Sequence, residues 1–190
     1  AAFRLVYAGG WTHAATGMKP NGTNGYSDTF FIPNTELTNI SGHLSFYNRT
    51  QSNAGSPYDI AGSDNSSATG KATFLITRYN TNLFYFGYGN GGYGGNILEV
   101  DGRGYYVGNR LDGTNSTLWK NGLLVKTVAQ IVSMTVVKLF IGAHNGGGTA
   151  NLFSNKECAF ATLGDGLTPT DQINLNTLVQ DYQTTLGRNV

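Results

Sequence analysis

Apolar and polar residues alternate with a period of two along most of this chain, the repeat of a half-buried β-strand. The segments "FRLVYA", "DTFFIP", "HLSFYN", "ATFLITRY", "NLFYFGY", "GYYVGNR", "STLWKNG", "LLVKTV", "KLFIGAHN" and "ECAFATL" are short and rich in β-branched or aromatic residues. Gly, Asn, Asp or Pro bounds each of them. About ten strands at near-regular spacing predict an all-β chain folded as an antiparallel sandwich or jelly roll. Within "TLWKNGLLVKT" the Asn121-Gly122 dipeptide joins two alternating runs, which predicts a two-residue hairpin because both turn residues must take positive φ.

The period changes only at the end of the chain. Thr168 is placed to cap a helix, Pro169 fits its first position, and Asp171 completes a capping-box spacing. Leu175, Leu178, Val179, Tyr182 and Leu186 then recur at helical intervals before Gly187. One amphipathic helix over about 168–186 is expected to lay this apolar stripe on the sandwich, with Leu178 and Tyr182 as its anchors. Residues 1–190 read as one domain, because no linker and no long internal repeat interrupts the pattern.

Composition narrows the function. Charged residues make up 12% of the chain and the net charge is +1, which leaves no basic field to hold nucleic acid. The longest apolar run, "IVSMTVVKLFIGA", is interrupted by Lys138 and falls short of the ~20 residues that span a bilayer, so no membrane insertion is expected. The lone Cys158 cannot form an internal disulfide and reads as a small buried side chain. The 27 glycines, together with abundant Asn, Ser and Thr, suit a surface that hydrogen-bonds to neutral polar ligands such as glycans.

Larger pieces carry a resemblance. The stretches "LWKNGLLV", "KLFIGAHN" and "ECAFATLGDGLT", followed by "QDYQTTLGR", with "GYSDTFFIPNTELT" and "HLSFYNRT" upstream, resemble the concanavalin A-like lectin/glucanase (laminin-G-like) sandwich. The versions found in bacteriophage structural proteins and bacterial surface proteins are the most similar. The resemblance implies a concanavalin A-like fold and a place on a virion surface or outside the cell. Members of the group include lectins, hydrolases, lyases and structural modules, so the site must decide among them.

The stretch "ILEVDGRGYY" supplies Glu99 and Asp101 at the spacing with which hydrolases of this fold begin their catalytic strand. A retaining mechanism needs a second acid on the same face, and that position holds Arg103, which cannot donate a proton at neutral pH. Hydrolysis through Glu99 is therefore the lesser reading, and Glu99, Asp101 and Arg103 are secondary ligand contacts at most. "GYGNGG" matches a dinucleotide-binding glycine pattern but precedes no helix. Some alginate lyases of related architecture carry a catalytic histidine where "AQIVSM" has valine. No cofactor is implied and no metal ligand is assigned. Asp59, Asp64, Asp101, Asp112 and Asp165 lie beside turns that offer carbonyl oxygens for calcium, without a calcium loop of fixed spacing.

The remaining chemistry is aromatic. "LFYFGYGNGGYGGN" and "GAHNGGG" combine Tyr88, Asn90, Tyr93, His144 and Asn145 in glycine-rich surroundings. Ring faces stack on sugars and planar amides read their hydroxyls, so these five form the expected ligand site; alternatively the even-phase aromatics fill the core. The reading that follows is a non-enzymatic recognition or adhesion module, binding a cell-surface polysaccharide or glycan weakly and multivalently, with neighbouring virion or surface-protein subunits as oligomeric partners. A purely structural virion protein and a glycan hydrolase or lyase are the alternatives.

Overall fold

A computed structural model of the chain describes residues 4–51, 57–66, 70–89 and 95–190. The first sheet is built, in spatial order, from β1 (Val6–Ala8), β4 (Tyr26–Asp28), β13 (Phe140–Ile141), β6 (Ile60–Ser63), β7 (Ala72–Ile76), β8 (Leu83–Tyr88) and β9 (Gly95–Leu98). A branch adds β14 (His144–Gly146) and β15 (Thr149–Asn151). The second sheet runs β12 (Leu123–Ala129), β11 (Asn115–Lys120), β10 (Gly104–Arg110), β5 (Gly42–Asn48), β16 (Cys158–Gly164), β3 (Gly17–Pro20) and β2 (Trp11–Ala14). A short helix α1 (Pro33–Glu36) and a long helix α2 (Pro169–Thr185) complete the described elements. Pairing is antiparallel throughout except between β14 and β6, which run parallel.

The expected all-β sandwich with one C-terminal helix is the fold observed. Alternation places Leu44 and Phe46 of β5, Leu75 of β7, Phe84, Phe86 and Tyr88 of β8, and Tyr106 of β10 in one cluster between the sheets. The intervening residues pack outward. Tyr58, Phe74, Ile76 and Tyr85 form a second cluster on the outer side of the first sheet, and Tyr47, Tyr105, Val107 and Trp119 form a third under α2. Both faces of the central strands are thereby covered, so β5, β7 and β10 are buried along their whole length. Asn121 (φ 49) and Gly122 (φ 77) make the expected turn between β11 and β12.

The ends of α2 are those the sequence specifies. The Thr168 side chain accepts from the Asp171 backbone N–H while the Asp171 carboxylate accepts from the Thr168 N–H. At the other end Gly187, at φ +66, lets the chain turn back on Thr184 and Gln183. The face is not the expected one. Leu178 is 66% exposed and Tyr182 49%, whereas Val179 (3%), Gln172 and Gln183 point inward, beside half-buried Leu175. The outward rings of Tyr47, Tyr105, Trp119 and Phe160 already fill the space over the sheet. The helix therefore seats the short Val179 against them and turns the longer Leu178 to solvent.

Candidate functional site

The tyrosine and histidine picked from the sequence are framework. Tyr88 is fully buried in the inter-sheet core, and its hydroxyl lies 2.7 Å from the carbonyls of both Thr38 and Ser41. A Cβ on Gly42 would sit 2.2 Å from that hydroxyl, so the close approach requires glycine. Burial pushes the Tyr88 phenol well above its ordinary value. No sugar can reach a ring in this position, which corrects the expectation. Asn145, 3% exposed, donates to the Lys138 carbonyl (2.8 Å) and accepts from the Gly148 N–H (2.9 Å). Asn90 and Tyr93 lie outside the described residues.

His144, 1% exposed, sits between Ser63 Oγ (2.6 Å from Nε2) and Asn151 Oδ1 (2.7 Å from Nδ1). This is the hydrogen-bond order of a serine hydrolase triad. Ser63 is nonetheless fully buried and donates its one proton to the Asn65 carbonyl, so the trio braces β6 against β14 and β15 instead of meeting a ligand. Burial lowers the His144 pKa, which keeps the imidazole neutral in its place.

The Glu-x-Asp stretch is a corner between β9 and β10, with no strand to align its carboxylates. Glu99 turns inward and its Oε1 accepts from Lys120 Nζ at 2.7 Å and from the Asp101 N–H at 3.0 Å. Asp101 turns outward to a two-point contact with Arg103 Nε and Nη2, which holds its carboxyl at about 2. The two acids thus face different neighbours. The other aspartates are equally dispersed. Asp59 is fully buried against Lys156 (2.9 Å), Asp64 accepts from Thr135 and Val136, and Asp112 accepts from the N–H groups of Thr114 and Asn115. The Asp165 carbonyl lies beside His43 Nδ1. Among the described residues no three His, Cys, Asp or Glu side chains converge on a metal-sized space.

An opening that sequence reasoning missed lies along β16. This strand pairs with β5 over most of its length but meets β3 at one position, Cys158 opposite Met18. Beyond it, among the described strands, residues 160–164 have no neighbour on their β3 side. The β2–β3 hairpin ends there, at its 15–16 turn, and a cleft of about 700 Å³ lies along the free edge. Ala161 and Leu163 face it from the interior side of β16 with Phe31 and Ile141 behind them, while Phe160, Thr162 and Tyr182 border it on the α2 side. Arg4, His13 and Arg188 stand at its mouth, and no carboxylate side chain lines it among the described residues.

An aromatic platform flanks the cleft. Trp11 donates its indole N–H between the carbonyls of Ala8 and Tyr26, at 3.1 Å from each. Tyr7 packs edge-on against Trp11 (5.1 Å) and His13 (4.9 Å), and the Trp11 and His13 rings stack at 6.2 Å. Across the opening Tyr182 packs edge-on to Phe160 under the Arg188 guanidinium. The cleft thus offers ring faces, cationic donors, hydroxyls and the unpaired backbone of a strand edge. Buried Cys158, at its back, has its thiol pKa raised by burial and is no nucleophile. Tyr182, expected as a helix anchor, is a residue singled out in the sequence that borders this cleft.

No family model matches the chain, and no curated protein matches it. Solved structures do. The CBM40 domain of the Ruminococcus gnavus IT-sialidase aligns with TM-score 0.54 at 16% identity, over 72% of this chain and 83% of that one. Domain 4 of AbnA, a GH43 extracellular arabinanase from Geobacillus stearothermophilus in complex with arabinotriose, aligns with TM-score 0.56 at 11% identity, over 91% and 81%. The NanB sialidase from Streptococcus pneumoniae aligns with TM-score 0.57 at 12% identity, over 87% of this chain and 27% of that one. These similarities establish the β-sandwich fold. Among the described residues no helix is long and apolar enough to cross a membrane.

Proposed function

We propose that this chain is a non-enzymatic glycan-binding module that takes a saccharide into the cleft along the free edge of β16. The observation that carries the reading is this edge, where unpaired backbone groups lie between the aromatic pair Tyr182 and Phe160 and the ring of His13, which Tyr7 and Trp11 back from outside the cleft. Ring C–H faces of a sugar stack on such side chains, and its hydroxyls exchange water for strand-edge N–H and C=O groups. Support also comes from the neighbours named above, a sialidase CBM40 domain and an arabinanase domain solved with arabinotriose. Binding without cleavage fits the engagement of Glu99 by Lys120 and the burial of Ser63.

A shallow site of this kind holds one saccharide with a Kd near ~1 mM. Display in many copies, as on the virion or cell surface that the concanavalin A-like resemblance suggests, raises avidity by about 10² to 10⁴. A glycan array probed with a multivalent form tests the reading. His13→Ala/Tyr182→Ala, which alters two exposed side chains, is expected to weaken retained glycans at least about tenfold, a loss of about 1.4 kcal/mol. No retained glycan, or equal retention by the variant, would sink it.

The same edge favours a second, structural reading. An unpaired strand is a template for a strand of another chain, and a second copy pairing there would bury the edge within a subunit interface. Sedimentation distinguishes the two. A concentration-dependent dimer that Leu163→Pro dissolves, together with an empty glycan array, would replace the binding module with an assembly subunit.

A further inference from the structure

Two strands across from β16, on the other side of β5, Arg110 closes β10 on the core side, in register with Tyr106 and Gly108. Its side chain is 1% exposed, and among the described residues no carboxylate forms an ion pair with it. Nε donates to the Asn39 carbonyl at 2.8 Å and Nη1 makes a long contact to Ser116 Oγ at 3.4 Å. Among the described residues Nη2 donates to no protein group. A guanidinium carries five N–H donors in a flat fork, so among the described residues most of this one's capacity is unused, and the Asp112 carboxylate acts on it only from beyond ion-pair distance.

The surroundings hold the fork still and leave it open on one side. The Tyr88 ring lies 5.9 Å below it. Gln130 accepts from Ser116 Oγ (2.9 Å) and the Tyr88 N–H (3.3 Å) and donates to the Phe86 carbonyl (3.1 Å). In front of the guanidinium is a pocket of about 600 Å³ between the 39–40 turn, the 113–114 turn and residues 129–132, within the size range of about 300 to 1,000 Å³ usual for small-ligand sites. Exposed Ile40 (57%) and Ile131 (87%) stand at its mouth. Asn39 and Thr114 also line it. Asp112, close by in sequence, is occupied by the N–H groups of Thr114 and Asn115 and the Asn115 amide.

We propose that this pocket binds the carboxylate of an acidic sugar residue, a hexuronic acid, with Arg110 as its counter-charge. The unused N–H groups of Arg110 match the two oxygens of a carboxylate in geometry and charge. Ile40 and Ile131 offer apolar walls to a pyranose ring, and Asn39 and Thr114 add polar residues to the lining. The sugar body of the ligand rests on the glycan-binding reading, but this site and its test are separate from the β16 cleft.

The test is NMR titration of the full chain with sodium glucuronate, following the Arg110 Nε–H resonance, with glucose and sodium acetate as controls. Saturable shifts with glucuronate, none with glucose, and at least tenfold weaker binding of acetate are expected. Ile131→Asp places a negative charge at the mouth without touching the core, and is expected to weaken glucuronate at least tenfold, as is Arg110→Lys where it folds. Absence of a glucuronate shift at about 10 mM, well above a millimolar Kd, would overturn the proposal. So would glucose or acetate binding as well as glucuronate, or unchanged binding by Ile131→Asp. Variants in the β16 cleft leave the Arg110 resonance as an independent readout, so the two readings can fail separately.

Discussion

Tyr88 illustrates how one residue exchanges a surface role for a supporting one. Its hydroxyl ties the 38–41 turn to β8 and its ring underlies Arg110. Thr38 and Ser41 also pair with each other through their backbones, so each carbonyl keeps a partner if the phenol oxygen is lost. Tyr88→Phe is accordingly expected to cost about 1 kcal/mol in a denaturant titration, the net worth of one hydrogen bond. It should leave saccharide binding at the β16 cleft unchanged. Weakened glycan retention at parental stability would return Tyr88 to the ligand site.

Helix α2 shows the same exchange at the scale of an element. Its caps are local devices and appear where Thr168, Asp171 and Gly187 place them. Its rotation about its own axis is set by what the sheet presents, a surface of large rings that admits Val179 and leaves Leu178 outside. Val179→Ala should therefore cost about 1 to 3 kcal/mol, the range for removing buried methyl groups. Leu178→Ala should stay within about 0.5 kcal/mol, as surface substitutions do. Urea titrations of the two variants check the orientation, and the reverse order of costs would mean that the helix docks on its Leu178 face.

Across the whole molecule the buried polar groups set how stability depends on pH. His43 and His144 both have pKa values lowered from 6.5, mainly by burial. The unfolded chain takes up these protons near pH 6.5 while the folded one resists them, so their contribution is full above that value and is lost as pH falls below it. Asp101, held near 2 by Arg103, and Asp112, lowered chiefly by the Asn115 and Thr114 N–H groups, add stability above 3.8 that fades as pH drops further. Both carboxylates are exposed to solvent, so their share is small. The urea midpoint is expected to be lower at about pH 5 than at about pH 7.5 and to fall again below about pH 4. A midpoint constant from pH 7.5 to 5 would contradict the burial of the two imidazoles.

The division between sequence and tertiary structure follows the range of the forces involved. Period-two alternation, the Asn121-Gly122 turn and the Thr168 capping box act over a few residues, and each produced its element at the expected place. Glycines in "GYGNGG" and "GAHNGGG" suggested exposed loops, yet Tyr88 and His144 lie in strands covered on both faces, because a sheet buried on both sides leaves alternation unable to tell solvent from a second layer. Likewise Glu99 and Asp101 share a spacing but no face, since the chain turns a corner between them. The free edge of β16 and the unused donors of Arg110 exist only once strands far apart in sequence have paired. Which strand edge is left open and which guanidinium keeps unused donors are properties of the assembled sandwich, and local pattern carries no record of them.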